Sequence, residues 1–124
     1  MTLSVVYTRA MVGIDAPSVR VETHLSAGLP GFNIVGMPET TVRESKDRVR
    51  SAILNSHFEF PDSKITINLA PADLPKEGGR FDLAIAIGVL VASGQVANRQ
   101  LSQVEFVGEL GLDGTLHPVT GVLA

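Results

Sequence analysis

Hydrophobic and polar positions alternate through the early part of the chain. Val19, Val21, Thr23 and Leu25 fall on one side of an extended segment, and Arg20, Glu22, His24 and Ser26 on the other. That is the two-residue period of a half-buried antiparallel strand. Residues 2–12 read the same way, with Val5, Tyr7 and Arg9 opposed to Val6, Thr8 and Ala10. Pro30-Gly31 suits the central positions of a type II turn, and residues 32–35 continue from it as a third strand.

The period then lengthens. Val42, Val49, Ala52 and Ile53 share one helical face, while Arg43/Asp47 and Glu44/Arg48 form opposite-charge pairs four residues apart. Thr41 and Glu44 have the spacing of a capping box, and the helix should fade near Asn55-Ser56. "KITINLAP" reads as a buried strand ended by Pro71. After Asp82 the pattern is ambiguous, because Leu83, Ile85 and Ile87 alternate with Ala84 and Ala86. Length, alanine content, a cap at Asp82 and a stop at Ser93-Gly94 favour a helix buried nearly all round. Its larger aliphatic side chains each contribute about 1.5–3 kcal/mol on burial, most of which chain entropy offsets. "QVEFVGELG" and "GTLHPVTG" read as two last strands joined by a turn at Leu112-Asp113-Gly114. The expected class is α+β, a mixed sheet with two main helices packed on one face, and residues 1–124 form one domain.

Composition narrows the chemistry. Hydrophobic residues make up 44% of the 124, but five Phe, one Tyr and no Trp leave a core of aliphatic side chains. Zero cysteines exclude a disulfide frame, a thiol nucleophile and zinc–thiolate sites, and fit a cytoplasmic location. No signal peptide pattern opens the chain, and the apolar run from Leu83 to Ala92 is too short to span a membrane. A net charge of −3 argues against a dedicated nucleic-acid surface, although local patches can still act. The apolar ending "HPVTGVLA" is read as the cut end of a longer protein.

The loop before the second helix, "PADLPKEGGRFD", has the form of an anion-binding or catalytic turn. It lacks both GxxxxGK[ST] and GxGxxG, and Asp82 at the helix start would repel a phosphate. It holds Lys76 but no Ser or Thr nucleophile, and Ser45, Ser51 and Ser56 read as surface or interface hydroxyls. His24, His57 and His117 are too scattered for a metal site. "VRESKDRVR" carries Arg43, Lys46, Arg48 and Arg50 against Glu44 and Asp47, a solvated face or a candidate DNA contact. If all four cations met phosphates, the log–log salt slope would be about −3 to −4.

Three stretches carry a family likeness: "GLPGFNIVGMPETTVRESKDRVRSAILNS", "INLAPADLPKEGGRFDLAIAIGVLVASGQ" and "FVGELGLDGTLHPVTGV". Together they resemble the N-terminal domain of the ComM/YifB family, AAA+ ATPases labelled magnesium-chelatase-like. The resemblance implies a Lon-protease-like fold, also that of the second domain of a small-subunit ribosomal protein. It further implies a following AAA+ motor that uses ATP and Mg, a homo-hexamer, and branched or single-stranded DNA as partner during natural transformation. No cofactor or metal is expected in this chain itself.

The Lon resemblance also addresses the loop. Pro75, Lys76, Glu77, Gly78, Gly79, Arg80, Phe81 and Asp82 match the Lon segment Pro-Lys-Asp-Gly-Pro-Ser-Ala-Gly, which puts Arg80 where the nucleophilic serine stands. Lon's catalytic lysine would fall just beyond Ala124. The expectation is a non-catalytic scaffold with Lys76, Glu77, Arg80 and Asp82 as loop or interface residues. Arg80 either faces a neighbouring subunit, the motor or DNA, or pairs with Glu77 or Asp82. The alternatives are a Ser/Lys hydrolase with relocated residues and a chelatase-type partner-docking module.

Overall fold

The alternating segments form strands β1 (Thr2–Arg9), β2 (Ser18–Ser26), β3 (Gly31–Val35) and β4 (Lys64–Ala70) in a computed structural model. Helices α1 (Glu39–Asn55) and α2 (Asp82–Ala92) flank β4 in sequence, and a short hairpin, β5 (Glu109–Leu110) and β6 (Leu116–His117), follows. The structure describes residues 2–10, 17–71, 79–97 and 106–117.

The sheet runs β1-β2-β4-β3, antiparallel except for the parallel pair β3 and β4. A parallel pair requires the chain to return between its strands, and α1 is that return. Register aligns Val6 with Val21, Val21 with Leu69, and Ile34 with Ile67, so one sheet face is largely apolar. Val6, Val19, Val21, Ile65, Ile67 and Leu69 are fully buried there, under Val49 and Ile53 of α1 and Ile85 and Val89 of α2. This bears out the mixed sheet and the α+β class. The opposite face, with Tyr7, Glu22, His24, Thr66 and Asn68, is half-buried. Among the described residues no helix is long and apolar enough to cross a membrane.

Helix α2 sits close to β1 and β2 because Gly88 faces the sheet. The Ser4 hydroxyl donates to the Gly88 carbonyl at 2.8 Å, and a Cβ on Gly88 would lie 2.5 Å from Thr23 Oγ1. Thus Ser4 and Thr23 sit on the buried face beside the aliphatic side chains.

Both helices end in the same way. At α2 the Gly94 N–H donates to Val91 O and the Gln95 N–H to Leu90 O, with Gly94 at φ +79°. At α1 the His57 N–H donates to Leu54 O and the Phe58 N–H to Ile53 O, with His57 at φ +67°. Each pair of bonds is a Schellman motif, so the expected Ser93-Gly94 stop is realised, and His57 takes the place glycine usually fills.

Two local expectations are corrected. Pro30-Gly31 makes no type II turn: Gly31 already pairs with Lys64 as the first residue of β3, and the positive-φ glycines on either side of it are Gly28 and Gly36. Gly36 is needed where it stands, since a Cβ would lie 2.6 Å from the Leu69 carbonyl oxygen. The Thr41/Glu44 capping box does not form, because α1 begins at Glu39 behind Pro38 and buries Thr41 within its first turns. Strand β1 is described from Thr2 to Arg9, and residues 11 and 12 of the expected strand lie outside those described.

Candidate functional site

The first residue of α2 carries the most elaborate polar site among the described residues. Asp82 is fully buried, and its side chain does not cap α2. It turns instead toward α1, where the Ser45 hydroxyl donates to Oδ1 at 2.7 Å and Arg48 Nε donates to Oδ2 at 2.6 Å. The Leu110 N–H donates to Oδ2 at 3.2 Å from the hairpin. Three donors from two elements outside α2 therefore meet one carboxylate. Such convergence is what a buried charge requires, because each unsatisfied lone pair in a low-dielectric interior is costly.

The turn ahead of α2 is stitched to the strand that supplies Leu110. The Gly108 N–H donates to the Arg80 carbonyl at 3.1 Å, and the Leu83 N–H returns a bond to the Gly108 carbonyl at 3.1 Å. Glu109 lies over Gly79, where an added Cβ would be 2.6 Å from Glu109 Cγ and 3.0 Å from Arg48 Nη2. A side chain at 79 would therefore displace Glu109 or Arg48 from the turn.

Burial pushes the Asp82 carboxyl above its ordinary range, and the donors from Arg48, Ser45 and Leu110 draw it back only in part. Burial pulls the Arg48 guanidinium the other way, but the hydrogen bond and charge of Asp82, with Glu109 and Glu44 behind it, hold it above its ordinary value.

The candidate residues are thus divided by the fold. Lys76 and Glu77 lie outside the described residues. Arg80 is half-buried at the turn, and the Asp82 carboxylate is held by Ser45, Arg48 and Leu110. The structure also separates the four cations of α1. Arg43, Lys46 and Arg50 stand three and four residues apart and share one face, whereas Arg48 turns about 140–160° away from Arg43 and Arg50. Arg48 pairs with Asp82, not with Glu44. Arg50 lies over the Phe60 ring at 5.4 Å, and Phe60 packs against Phe32 with centroids 5.4 Å apart.

Neither Ser45 and Leu110 as partners of Asp82 nor Glu109 as a neighbour of Arg48 is evident from the sequence. Ser45 is 1% exposed, not a surface hydroxyl. Its signal was present: it lies one turn before Arg48, both flanking the buried stripe of Val49 and Ala52. An open cleft of about 860 Å³ lies elsewhere. It is lined by Leu25, Leu54, Phe58, Phe60, Ala92 and Gln95 among others, at the C-terminal ends of the helices. No residue of the Asp82 cluster borders it.

The model of the family described as subunit ChlI of Mg-chelatase matches residues 21–124. The uncharacterized protein YifB of Escherichia coli is 60% identical over the whole of this chain, which covers 24% of its length. The competence protein ComM of Haemophilus influenzae is 59% identical over 99% of this chain, again 24% of its own length. An uncharacterized protein of Mycobacterium tuberculosis is 40% identical over 99% of this chain. The chain therefore spans about a quarter of the length of the curated relatives it matches. With identity this high along its full extent, the chain belongs to the ComM/YifB family of magnesium-chelatase-like proteins.

Proposed function

We propose that the chain is a non-catalytic scaffold and interaction domain of a magnesium-chelatase-like AAA+ ATPase. It has a Lon-protease-like fold and works in ring assembly. The observation that carries this reading is the closed cluster around Asp82. The Lon resemblance puts a nucleophile two residues before this position, at Arg80, and a guanidinium cannot attack a carbonyl. The nearest hydroxyl to the Asp82 carboxylate, Ser45 Oγ, is buried and spends its proton on Oδ1. Arg48 and the Leu110 N–H take the other oxygen. A general base needs a free lone pair beside an accessible nucleophile, and this arrangement offers neither. It favours a fixed joint between α1, α2 and the hairpin over the relocated Ser/Lys hydrolase. ATP, Mg and hexamer formation belong to the longer parent protein on this reading.

DNA contact is the second reading, favoured by one observation: Arg43, Lys46 and Arg50 share an outer face of α1 while Arg48 is withdrawn. With three cations on phosphate rather than four, the expected salt slope drops to about −2 to −3. The chelatase-type docking module rests on the family description alone.

Arg80→Ala in the full-length protein tests the assembly reading. A shift from hexamer to smaller species in sedimentation, with the ATPase falling alongside, is expected. Unchanged hexamer and ATPase overturn the role of Arg80. Labelling of a serine by a fluorophosphonate probe, lost on its substitution, overturns the non-catalytic reading. A titration with branched and single-stranded DNA across salt checks the second reading, which fails if nothing binds at low salt.

A further inference from the structure

The two edges of the sheet are not equivalent. At β1 the Phe106 N–H donates to the Tyr7 carbonyl at 2.9 Å, so part of that edge is already covered. Strand β3 ends the strand order on the other side, and among the described residues no further strand pairs with it. The Gly31 N–H donates to Ser63 O of the chain entering β4. Alternation along a strand then turns the backbone groups of Asn33 and Val35 toward β4 as well, and those of Phe32 and Ile34 toward the open edge.

Proteins usually blunt such an edge with lysine, proline or a bulge. The strand Gly-Phe-Asn-Ile-Val carries no charged residue and no proline, and its register with β4 runs through five residues without a bulge. Val35 is 55% exposed at its end. A hollow of about 410 Å³ opens beside its start, lined by Gly31, Phe32, Arg50, Leu54 and Phe60 among others. Because β3 and β4 are parallel, α1 runs back antiparallel to β3. Arg50 therefore lies near the Gly31 end, while Lys46 and Arg43 follow toward the Val35 end on the same face. Glu39 shares that face and Asp47 borders it, which leaves the stripe itself with an excess of cations.

We propose that the open edge of β3 is a docking site for an extended acidic segment of another polypeptide, added as a fifth strand. Backbone bonds to Phe32 and Ile34 hold the strand, an apolar side chain fills the hollow by Phe60, and acidic side chains beyond it face Lys46 and Arg43. This is strand addition, in which the main chain supplies affinity and alternate side-chain positions supply specificity. A second copy of the chain fits less well, because antiparallel pairing of two β3 edges would set the basic stripes against each other. The proposal goes beyond the assembly reading and competes with DNA for the same three cations.

The test uses a blocked ten-residue peptide in which threonine alternates with one leucine followed by glutamates. The same peptide with lysine for glutamate and a single-stranded oligothymidylate are the controls. Amide exchange at Phe32 and Ile34 is followed by NMR. In the free chain both should exchange fast, and the acidic peptide should slow both by about tenfold or more, since exchange tracks the open population. The lysine peptide should not protect them, and Arg50→Glu, at an exposed site, should weaken acidic-peptide binding about fivefold while leaving the fold intact. Protection already present in the free chain overturns the proposal, as does peptide binding without protection of both amides. So does an oligonucleotide that shifts the Arg43, Lys46 and Arg50 signals when the acidic peptide shifts none. The Arg80 experiment is unaffected by either result.

Discussion

Arg48 Nε donates to Asp82 Oδ2 across 2.6 Å, joining a guanidinium that is one-fifth exposed to a carboxylate that is fully buried. The pair ties the middle of α1 to the first residue of α2, and the Leu110 N–H brings in the hairpin. Removing one partner strands the other. Arg48→Ala should destabilise the chain by about 3 kcal/mol, the range for breaking a buried pair. Replacing both, with Arg48→Met and Asp82→Leu, should cost less than the two single changes added together, because no uncompensated charge remains. Urea unfolding of the four chains measures this, and strict additivity would mean the pair is not coupled.

The raised Asp82 carboxyl makes a second prediction, and its sign follows from linkage. A group that holds its proton more tightly when folded contributes stability that is full below its unfolded value, about pH 4. That contribution is lost as pH rises through the folded value. Asp82→Asn lacks this titration. The stability of the parent chain relative to Asp82→Asn should therefore improve as pH is lowered from 7 toward 4. Urea midpoints at several pH values check it. A difference that moves in the parent's favour as pH rises would mean that Arg48 and Ser45 outweigh burial.

Much of the sheet was legible because period-two alternation and register carry the same information. Val19, Val21 and Leu25 face inward as their spacing implied. The second helix was legible from length and from Ser93-Gly94. What failed was local chemistry that long-range contacts override. Asp82 stands where a helix cap is favoured, yet a donor set 34–37 residues earlier and another 28 residues later offered its carboxylate more than its own helix could. Thr41 and Glu44 have capping-box spacing, but Pro38 starts the helix earlier, as proline's fixed φ allows near an N-terminus. The site was visible as a loop of interest and, in α1, as Ser45 and Arg48 flanking the buried stripe, but no periodicity in either helix says that these two meet Asp82.

The matched helix ends separate backbone strain from packing. His57 holds a left-handed conformation at φ +67°, which costs an ordinary residue roughly 1–2 kcal/mol. His57→Gly should therefore stabilise the chain by about 0.5 kcal/mol, after the extra entropy of glycine in the unfolded chain is deducted. Gly94→Ala should do the reverse and cost about 1 kcal/mol, although nothing lies within 4 Å of the added Cβ. Thermal unfolding of the two variants distinguishes them by direction, and a neutral Gly94→Ala would show that the helix end relaxes.

Gly88 tests packing in the same helix. An alanine there gains about 1 kcal/mol in helix propensity over glycine. Yet its Cβ would sit 2.5 Å from Thr23 Oγ1 on a strand that cannot retreat, with Ser4 Oγ 3.7 Å away. Overpacking of this kind costs about 1–3 kcal/mol. Gly88→Ala should thus destabilise on balance and loosen the Ser4 bond to the Gly88 carbonyl. Thr23→Ala removes the obstructing hydroxyl, which has no hydrogen-bond partner among the described residues, so it should itself cost little in bonding. The double variant should then recover most of the loss. Failure of Thr23→Ala to rescue Gly88→Ala would place the limiting contact on backbone rather than on this side chain.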